Sequence, residues 1–497
     1  MAAGGVEEAE NTFLLKSSDG AEFLVSDLEA SQSRTIHRQI ECMVFQRQKA
    51  YGLKDSAIHL GVKSNILSKA VEYIKKHLES DASGGGTWGV KFVDVDHETL
   101  CDFIIASDYL CIQGLLELAS HTLKNKIKGK SPQEIRTMFN ITSGSPLQQD
   151  EEDVDGLCAT MAMLNDCDFE AHANRDLTLE EKSLKALDIV RRQEFTDYDP
   201  KLNDFMCTRL CLFNMAFFDI DEESTIGRGQ LLHPWHELIE EESINVISLK
   251  ICESDVGFPI NLFGTVIARD EVDYKCVYLF RREVDDPQFI TSPDDMLALT
   301  DPRRGLVASD KIYFEINLKI KTDSGAIKDF SKGLLVFNSV CLSEDEQSRT
   351  SCLTSWLSDV ELTCAHVLDP MEATIAINLL KGQCNISRVE AWTTENSEDH
   401  MILYENKAAG TQIVINDGGT VPLTRRVVAV PLDEKVVLSL VGDDESEPLV
   451  LTLGQTDEVQ ACKMGCGELQ VKIAWTAISE RRKYNKWEFV GDELLML

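Results

Sequence analysis

The spacing of apolar residues changes period part-way along this chain, and that change constrains the fold more than any single motif. In the first part apolar side chains recur at helical spacing: Leu67, Ala70, Val71, Ile74 and Leu78 share one helix face, and Ile112, Leu115, Leu116, Ala119, Leu123 and Ile127 share another. Beyond about Ile244 the period is two. Ile312, Phe314, Ile316, Leu318 and Ile320 alternate with Lys311, Tyr313, Glu315, Asn317 and Lys319, the pattern of a strand with one buried face. At 497 residues the chain is longer than one hydrophobic core organises. The two periods therefore imply an α+β multidomain protein, helical first and mainly β afterwards.

Composition narrows the function. The formal charge is −35, from 49 basic against 84 acidic side chains. That balance opposes binding to phosphate backbones, so neither nucleic acid nor an anionic membrane is an expected partner. The 15 cysteines are an odd count without a C-x-x-C pair, which suits a reducing compartment and gives no zinc or redox motif. Cys207 with Cys211, and Cys462 with Cys466, would share a helix face if those segments were helical; unpaired core cysteines are the plainer reading. The acidic N-terminus has no apolar leader core and no later run reaches transmembrane length, so the nucleus and cytoplasm are the expected locations. The sequons at Asn140 and Asn385 are then fortuitous.

Punctuation along the chain sets the elements. Short strands are expected at 13–16 and 22–25, flanking a Ser-Asp-Gly turn, with a helix opening near Ser33. Ser83-Gly84-Gly85-Gly86 is a loop without the Gly-Lys-Ser/Thr of a phosphate cradle. Asp96 can cap a helix carrying Leu100, Phe103, Ile104 and Ser107 on one side. Ser131-Pro132-Gln133-Glu134 is a complete helix start: a capping serine, a proline where no amide donor is needed, and a glutamate that closes the capping box. Ile135, Met138 and Phe139 then share one face. The stretch from Thr142 to Pro146 and the acidic run Asp150-Glu151-Glu152-Asp153 form a linker. A second capping box, Thr178 with Glu181, opens a helix through Leu184, Leu187 and Val190 that ends before Asp199-Pro200.

Further strands are expected at 246–251, 264–268, 278–281, 374–380, 412–415, 427–430, 436–440, 449–453 and 469–475, with a turn at Asn416-Asp417-Gly418-Gly419. They suggest a sandwich or barrel-like domain, in two similar sheets and without a clear internal sequence repeat. No nucleophile elbow, zinc helix, phosphate loop or dinucleotide turn is present. His233 and His236 around Pro234 are too few for a metal site, so no metal, cofactor or catalytic residue is assigned. The pairs Arg281-Arg282, Arg303-Arg304 and Arg425-Arg426 are either exposed loop charge or a seat for a carboxylate or phosphate.

Lys128-Gly129-Lys130-Ser131-Pro132-Gln133-Glu134-Ile135-Arg136, with Asp108-Tyr109-Leu110-Cys111-Ile112-Gln113-Gly114-Leu115-Leu116 upstream, resembles the S-phase kinase-associated adaptor family, which links F-box proteins to a cullin scaffold in SCF ubiquitin ligases. Leu15-Lys16-Ser17-Ser18-Asp19-Gly20, Ser33-Arg34-Thr35-Ile36, Trp88 and Phe92-Val93-Asp94-Val95-Asp96 fall in family order, so the resemblance runs from about Thr12 to Ile141. It implies a disordered N-terminus at 1–11, a BTB/POZ-like α/β adaptor fold at 12–80, and dimerisation and F-box-binding helices at 88–141. An acidic linker would follow at 142–176, a connector at 177–243 and a mainly β domain at 244–480. By the same resemblance Ile112, Leu115, Leu116, Pro132, Ile135, Met138, Phe139 and Ile141 face an F-box, while Asp108 and Tyr109 match a cullin-facing Asn-Tyr pair.

Two departures stand out: Asp108 replaces asparagine, and the family's Asn-Asp-Phe-Thr run, acidic helix and tryptophan end are missing directly after Ile141. The second part, from about Phe205 to Ile478, resembles an uncharacterised C-terminal domain of cereal proteins that follows varied N-terminal modules. The expectation is a non-catalytic SCF adaptor in the ubiquitin pathway of a plant, with a cullin and F-box proteins as partners and an unknown partner for the β domain. The alternative is an adaptor remnant outside SCF whose β domain is a ligand- or partner-binding, defence-related module. A third, an unrecognised hydrolase in the β domain, needs a pocket with clustered acids and a histidine.

Overall fold

The computed structural model describes residues 12–48, 57–83, 88–142, 177–227, 241–300, 302–322, 324–341, 348–406, 414–415, 418–442, 447–456 and 458–479. The expected disordered N-terminus, the glycine run at 84–86, the acidic stretch 143–176, the two histidines at 233 and 236 and residues 416–417 of the expected turn lie outside them. The chain divides into two units. One takes in the described residues to Glu194 together with Cys211–Asp219; the other takes in Phe195–Leu210 and the chain from Ile220. Residues 177–243, expected as one connector, are thus shared between the two.

The first unit opens with β1 (Thr12–Lys16) and β2 (Glu22–Ser26), then α1 (Asp27–Ala30), α2 (Arg34–Gln48) and β3 (Ala57–His59). β1 pairs antiparallel with β2 and parallel with β3, giving the order β2-β1-β3. Asp19, in the turn after β1, accepts hydrogen bonds from the Ser17 and Ser64 hydroxyls at 2.6 Å, and these hold its carboxyl down at about 2. α3 (Ser64–Ser83), α4 (Trp88–Phe92), α5 (His97–Tyr109), α6 (Gln113–Ile127), α7 (Pro132–Phe139) and α8 (Leu179–Glu194) follow. Leu67, Ala70, Val71 and Ile74 are buried as their spacing requires, and Asp96 caps α5.

The second unit starts with the hairpin β4 (Thr196–Asp199) and β5 (Asp204–Cys207). Nine strands follow: β6 (Ser243–Ser254), β7 (Ile260–Arg269), β8 (Val277–Arg282), β9 (Gln288–Ile290), β10 (Leu306–Val307), β11 (Lys311–Lys321), β12 (Ile327–Asn338), β13 (Ser348–Ser355) and β14 (Ser358–Val367). Another nine complete the unit: β15 (Pro370–Lys381), β16 (Cys384–Thr393), β17 (Met401–Glu405), β18 (Val414–Ile415), β19 (Val427–Pro431), β20 (Val436–Gly442), β21 (Leu449–Leu453), β22 (Val459–Met464) and β23 (Gly467–Ala477).

The sheet orders reveal a duplication. The first set forms β10-β6-β14-β13 and β12-β11-β7-β8, with β9 on β7; the second forms β19-β15-β23-β22 and β17-β16-β20-β21, with β18 on β16. Adding nine to each strand number of the first set reproduces the second. Each set encloses its own apolar core, one around Phe314, Ile316 and Leu249, the other around Ile375, Leu438 and Leu403. The correspondence reaches single hydrogen bonds. The Thr300 N–H donates to the Leu279 carbonyl on β8 at 2.7 Å, and the Thr424 N–H donates to the Leu403 carbonyl on β17 at 2.9 Å. Four sheets in two open sandwiches thus replace the two sheets expected from the sequence, and among the described residues none closes into a barrel.

Burial corrects several expectations. Arg304 and Arg425 each stand two residues before the matching strands β10 and β19 and are buried, whereas Arg303 and Arg426 are exposed; the pairs are half core, not simply loop charge. Tyr313 and Glu315, placed by alternation on the outer face of β11, are buried as well, Glu315 because Arg269 and Arg209 both reach it. Cys207 ends a strand, and Cys462 lies on β22 with Cys466 in the hairpin turn, so neither pair shares a helix face. Gly264 sits at φ +120° where an added Cβ would come within 2.2 Å of the Asn317 carbonyl oxygen, so the β7–β11 pairing requires glycine there.

Candidate protein-docking edge

The edge is assembled from α5, α6, α7 and α8. α7 starts as its sequence requires: the Ser131 hydroxyl accepts the Glu134 N–H at 3.4 Å, and Glu134 accepts the Ser131 N–H at 2.8 Å. It ends at Asn140, a left-handed C-cap with φ 52° that turns the chain so that Ile141 comes back under the helix. α8 has its own capping box between Thr178 and Glu181. Thr142 donates its N–H to Glu180 at 2.8 Å, which brings the end of α7 to the start of α8 across the intervening 143–177. A capped helix thus resumes beside the point where the first part stops.

α8 lies along α5 through Ala186, Leu187, Ile189 and Val190, all buried in the same apolar cluster as α5 to α7. Ion pairs fix its position. Lys182 donates to Glu98 at 2.9 Å and to Asp102 at 3.0 Å, while Arg192 approaches Asp108 at 3.9 Å. Burial pushes the Asp108 carboxyl up from the usual range, with Arg192 and Lys185 only partly offsetting it. Asp188, one turn from Arg192, is more deeply buried, and its Oδ1 has no hydrogen-bond partner among the described residues. Its pKa is raised, chiefly by burial. A carboxyl whose folded pKa lies above its unfolded one favours the fold at low pH and weakens it as pH rises through that range. Asp188→Asn is therefore expected to raise the melting temperature of the helical unit by about 2–4 °C at pH 7, the equivalent of about 1 kcal/mol, with the gain shrinking toward pH 4. A lower melting temperature at pH 7 would show that the charge stabilises α8.

Of the residues expected to face an F-box, Ile112, Leu115, Leu116, Ile135, Phe139 and Ile141 are buried in the chain's own cluster, while Pro132 and Met138 are half-buried. Asp108 is half-buried beside α8, with Arg192 3.9 Å away. Tyr109 remains 38% exposed, its hydroxyl accepting the Gly61 N–H at 3.4 Å and its carbonyl the Thr35 hydroxyl at 2.8 Å.

The helices carry an occupant that the sequence reading missed. Cys211–Asp219 folds into a tight turn on Asn214, which accepts the Phe217 and Phe218 N–H groups on its carbonyl and the Ala216 N–H on its side chain. The Asn214 amide donates to the Leu184 carbonyl on α8 at 2.8 Å, and Arg136 on α7 donates to the Ala216 carbonyl at 2.6 Å. Arg136 also lies over the Phe217 ring at 5.5 Å. This segment has no period and no charge pattern, so nothing local to it signalled the role.

Comparison with known proteins decides the family. The Skp1 family tetramerisation domain matches residues 11–79 and the Skp1 family dimerisation domain matches 113–154. SKP1-like protein 1A of Arabidopsis thaliana is 37% identical over 155 residues, spanning 28% of this chain and 90% of that protein. SKP1-like protein 1 of Oryza sativa subsp. japonica is 37% identical over 175 residues, 31% of this chain and 94% of that protein. This chain belongs to the Skp1 family. It differs from those relatives in carrying a second domain, matched over 243–473 by a domain of unknown function, DUF6598.

That second domain has a cleft of about 660 Å³ whose lining includes His366, Glu242, Asp369, Asp399, Asp433 and Glu434. Its lining holds the clustered acids and the histidine that the hydrolase alternative requires. His366 pairs with Glu242 at 2.8 Å, while the lining hydroxyls of Ser309 and Ser339 donate to Glu241 and to the Asp310 carbonyl. Skp1 kinship supports an adaptor-type, non-catalytic role for the chain.

Proposed function

We propose that this Skp1-family chain is the adaptor subunit of an SCF-type cullin–RING ubiquitin ligase. Its Tyr109 face meets the cullin, and the α5–α8 edge holds the element that brings a substrate receptor. The observation that carries the reading is the pair of Skp1 matches on a body whose signature helix α7 is capped at both ends and buries Ile135 and Phe139 in the apolar cluster of α5 and α6. The chemistry is proximity: two surfaces held at fixed geometry bring a target to a ubiquitin-loaded enzyme, with no proton transferred by the adaptor itself. The β domain then displays or recognises a partner.

Co-purification with a cullin N-terminal domain tests the first surface. Tyr109→Ala is expected to weaken capture by about 30-fold, as removal of a central aromatic anchor does, while Tyr109→Phe keeps most of it. Equal capture by wild type and Tyr109→Ala would remove Tyr109 from the cullin face, and no capture by wild type would remove the adaptor reading.

A further inference from the structure

We infer that Cys211–Asp219 fills, in cis, the groove between α7 and α8 that the adaptor reading gives to an F-box helix. The chain is therefore closed to F-box proteins and carries its own receptor module. The inference rests on that reading for the identity of the displaced partner, but not for the occupancy itself.

The segment is built as a plug. Met215 and Ala216 are 4% and 0% exposed and belong to the same apolar cluster as Ile135, Phe139, Leu187 and Val190. It touches both walls, donating from Asn214 to α8 and accepting on Ala216 from α7. Phe213 and Phe218 stack at 4.5 Å across its base, so the turn is held in its bound shape by its own side chains. Arg136 is committed twice, to a carbonyl and to a ring, and an incoming helix would have to break both contacts.

Tethering strengthens the case. A segment of the same chain acts at an effective concentration on the order of millimolar, so a free partner at micromolar concentration needs an affinity about 10³-fold better to displace it. The chain on each side of the plug, Phe195–Leu210 and Ile220 onward, belongs to the unit that contains DUF6598. An adaptor plugged this way delivers that domain to a cullin without recruiting a separate receptor. One chain then performs the work of adaptor and receptor.

The test uses the full chain with two probes, a recombinant F-box domain and a cullin N-terminal domain, and reads amide hydrogen exchange over residues 135–141. Met215→Glu combined with Ala216→Glu puts two carboxylates into the groove and should eject the plug. Arg136→Ala removes the Arg136 hydrogen bond and ring contact without altering the plug, and serves if the double variant fails to fold. Wild type is expected to bind the cullin domain and to leave the F-box domain uncaptured, whereas either variant gains F-box binding by tenfold or more and exchanges at least tenfold faster over 135–141. F-box capture by wild type as tight as by the variants overturns the inference. Loss of cullin binding in every sample sinks the adaptor reading instead. Occupancy is then decided by exchange alone, faster in the variants if the plug is real and unchanged if it is not. The same exchange criterion decides if no sample captures the F-box domain.

Discussion

Arg269→Ala should cost the β unit about 3–5 kcal/mol, enough to unfold a domain of ordinary stability, because it leaves a buried carboxylate short of its principal partner. Arg269 is 0% exposed, and each of its nitrogens is used. Nε and Nη2 donate to Glu315 at 2.6 and 3.0 Å, Nη1 to the Tyr274 carbonyl at 2.9 Å, and Nη2 also to the Ile220 carbonyl at 2.8 Å. Burial alone would push the Glu315 carboxyl up, but Arg269 first and Arg209 second hold it below the usual range. A depressed carboxyl gives stability that is present above its unfolded pKa and lost as pH falls through the folded value.

Removing Arg269 reverses that sign, since only Arg209 and the Leu210 N–H then face the burial. Urea melts at pH 7 and pH 5 should therefore show wild type unchanged or slightly weaker at pH 5, and Arg269→Ala recovering part of its loss there. Arg269→Met with Glu315→Leu should cost less than the single change, because no uncompensated buried carboxylate remains and Arg209 keeps Asp221 at 2.9 Å. A single mutant within about 0.5 kcal/mol of wild type would mean the ion pair is structurally idle.

Glu315 also shows where sequence reading fails and why. Alternation along β11 assigns it to the outer face with Tyr313, Asn317 and Lys319, and for Lys319 that is right. Burial of Glu315 depends on Arg269 at the end of β7 and on Arg209 near the hairpin, contacts between residues 46 and 106 positions apart. A local period carries no information about them. The strands that were legible, β11, β19, β20 and β21 among them, combine clear apolar runs with turn residues at both ends. β13, with its polar Ser-Arg-Thr-Ser sequence, and β22, with Gln460 and Lys463, are edge strands of their sheets, whose open sides ask for no apolar alternation. The duplication was hidden for a related reason. What the two sets share is strand order and a threonine hydrogen bond before β10 and β19, which two different sequences can both satisfy.

The helical unit was far more legible, because its signals are local. Capping boxes at Ser131 and Thr178, the Asp96 cap and the apolar stripes of α3, α5 and α6 each specify an element from residues a few positions apart. The docking edge was legible only in part. Sequence placed Ile135, Phe139 and Ile141 on it, but it could not show that α8 would return across 143–177 or that Cys211–Asp219 would cover it. Those are long-range packing decisions made by Asn214, Arg136 and Lys182.

Phe139 and Met138 distinguish an edge packed by its own chain from one awaiting a partner. They are adjacent on α7, yet Phe139 is 4% exposed and meets His97 edge-on at 5.4 Å, whereas Met138 is half-buried. If the edge packs internally, Phe139→Ala removes a core ring and costs about 3–5 kcal/mol, lowering the melting temperature of the helical unit by on the order of 10 °C. Met138→Ala, with its side chain only partly enclosed, should cost about 1 kcal/mol or less. An edge left open for a partner predicts the opposite balance: both changes would spare the melt, and Phe139→Ala would act only on capture of an F-box domain. Melting the two variants beside wild type separates these cases without any partner present, and an unchanged melt for Phe139→Ala would show that its ring is not held by this chain.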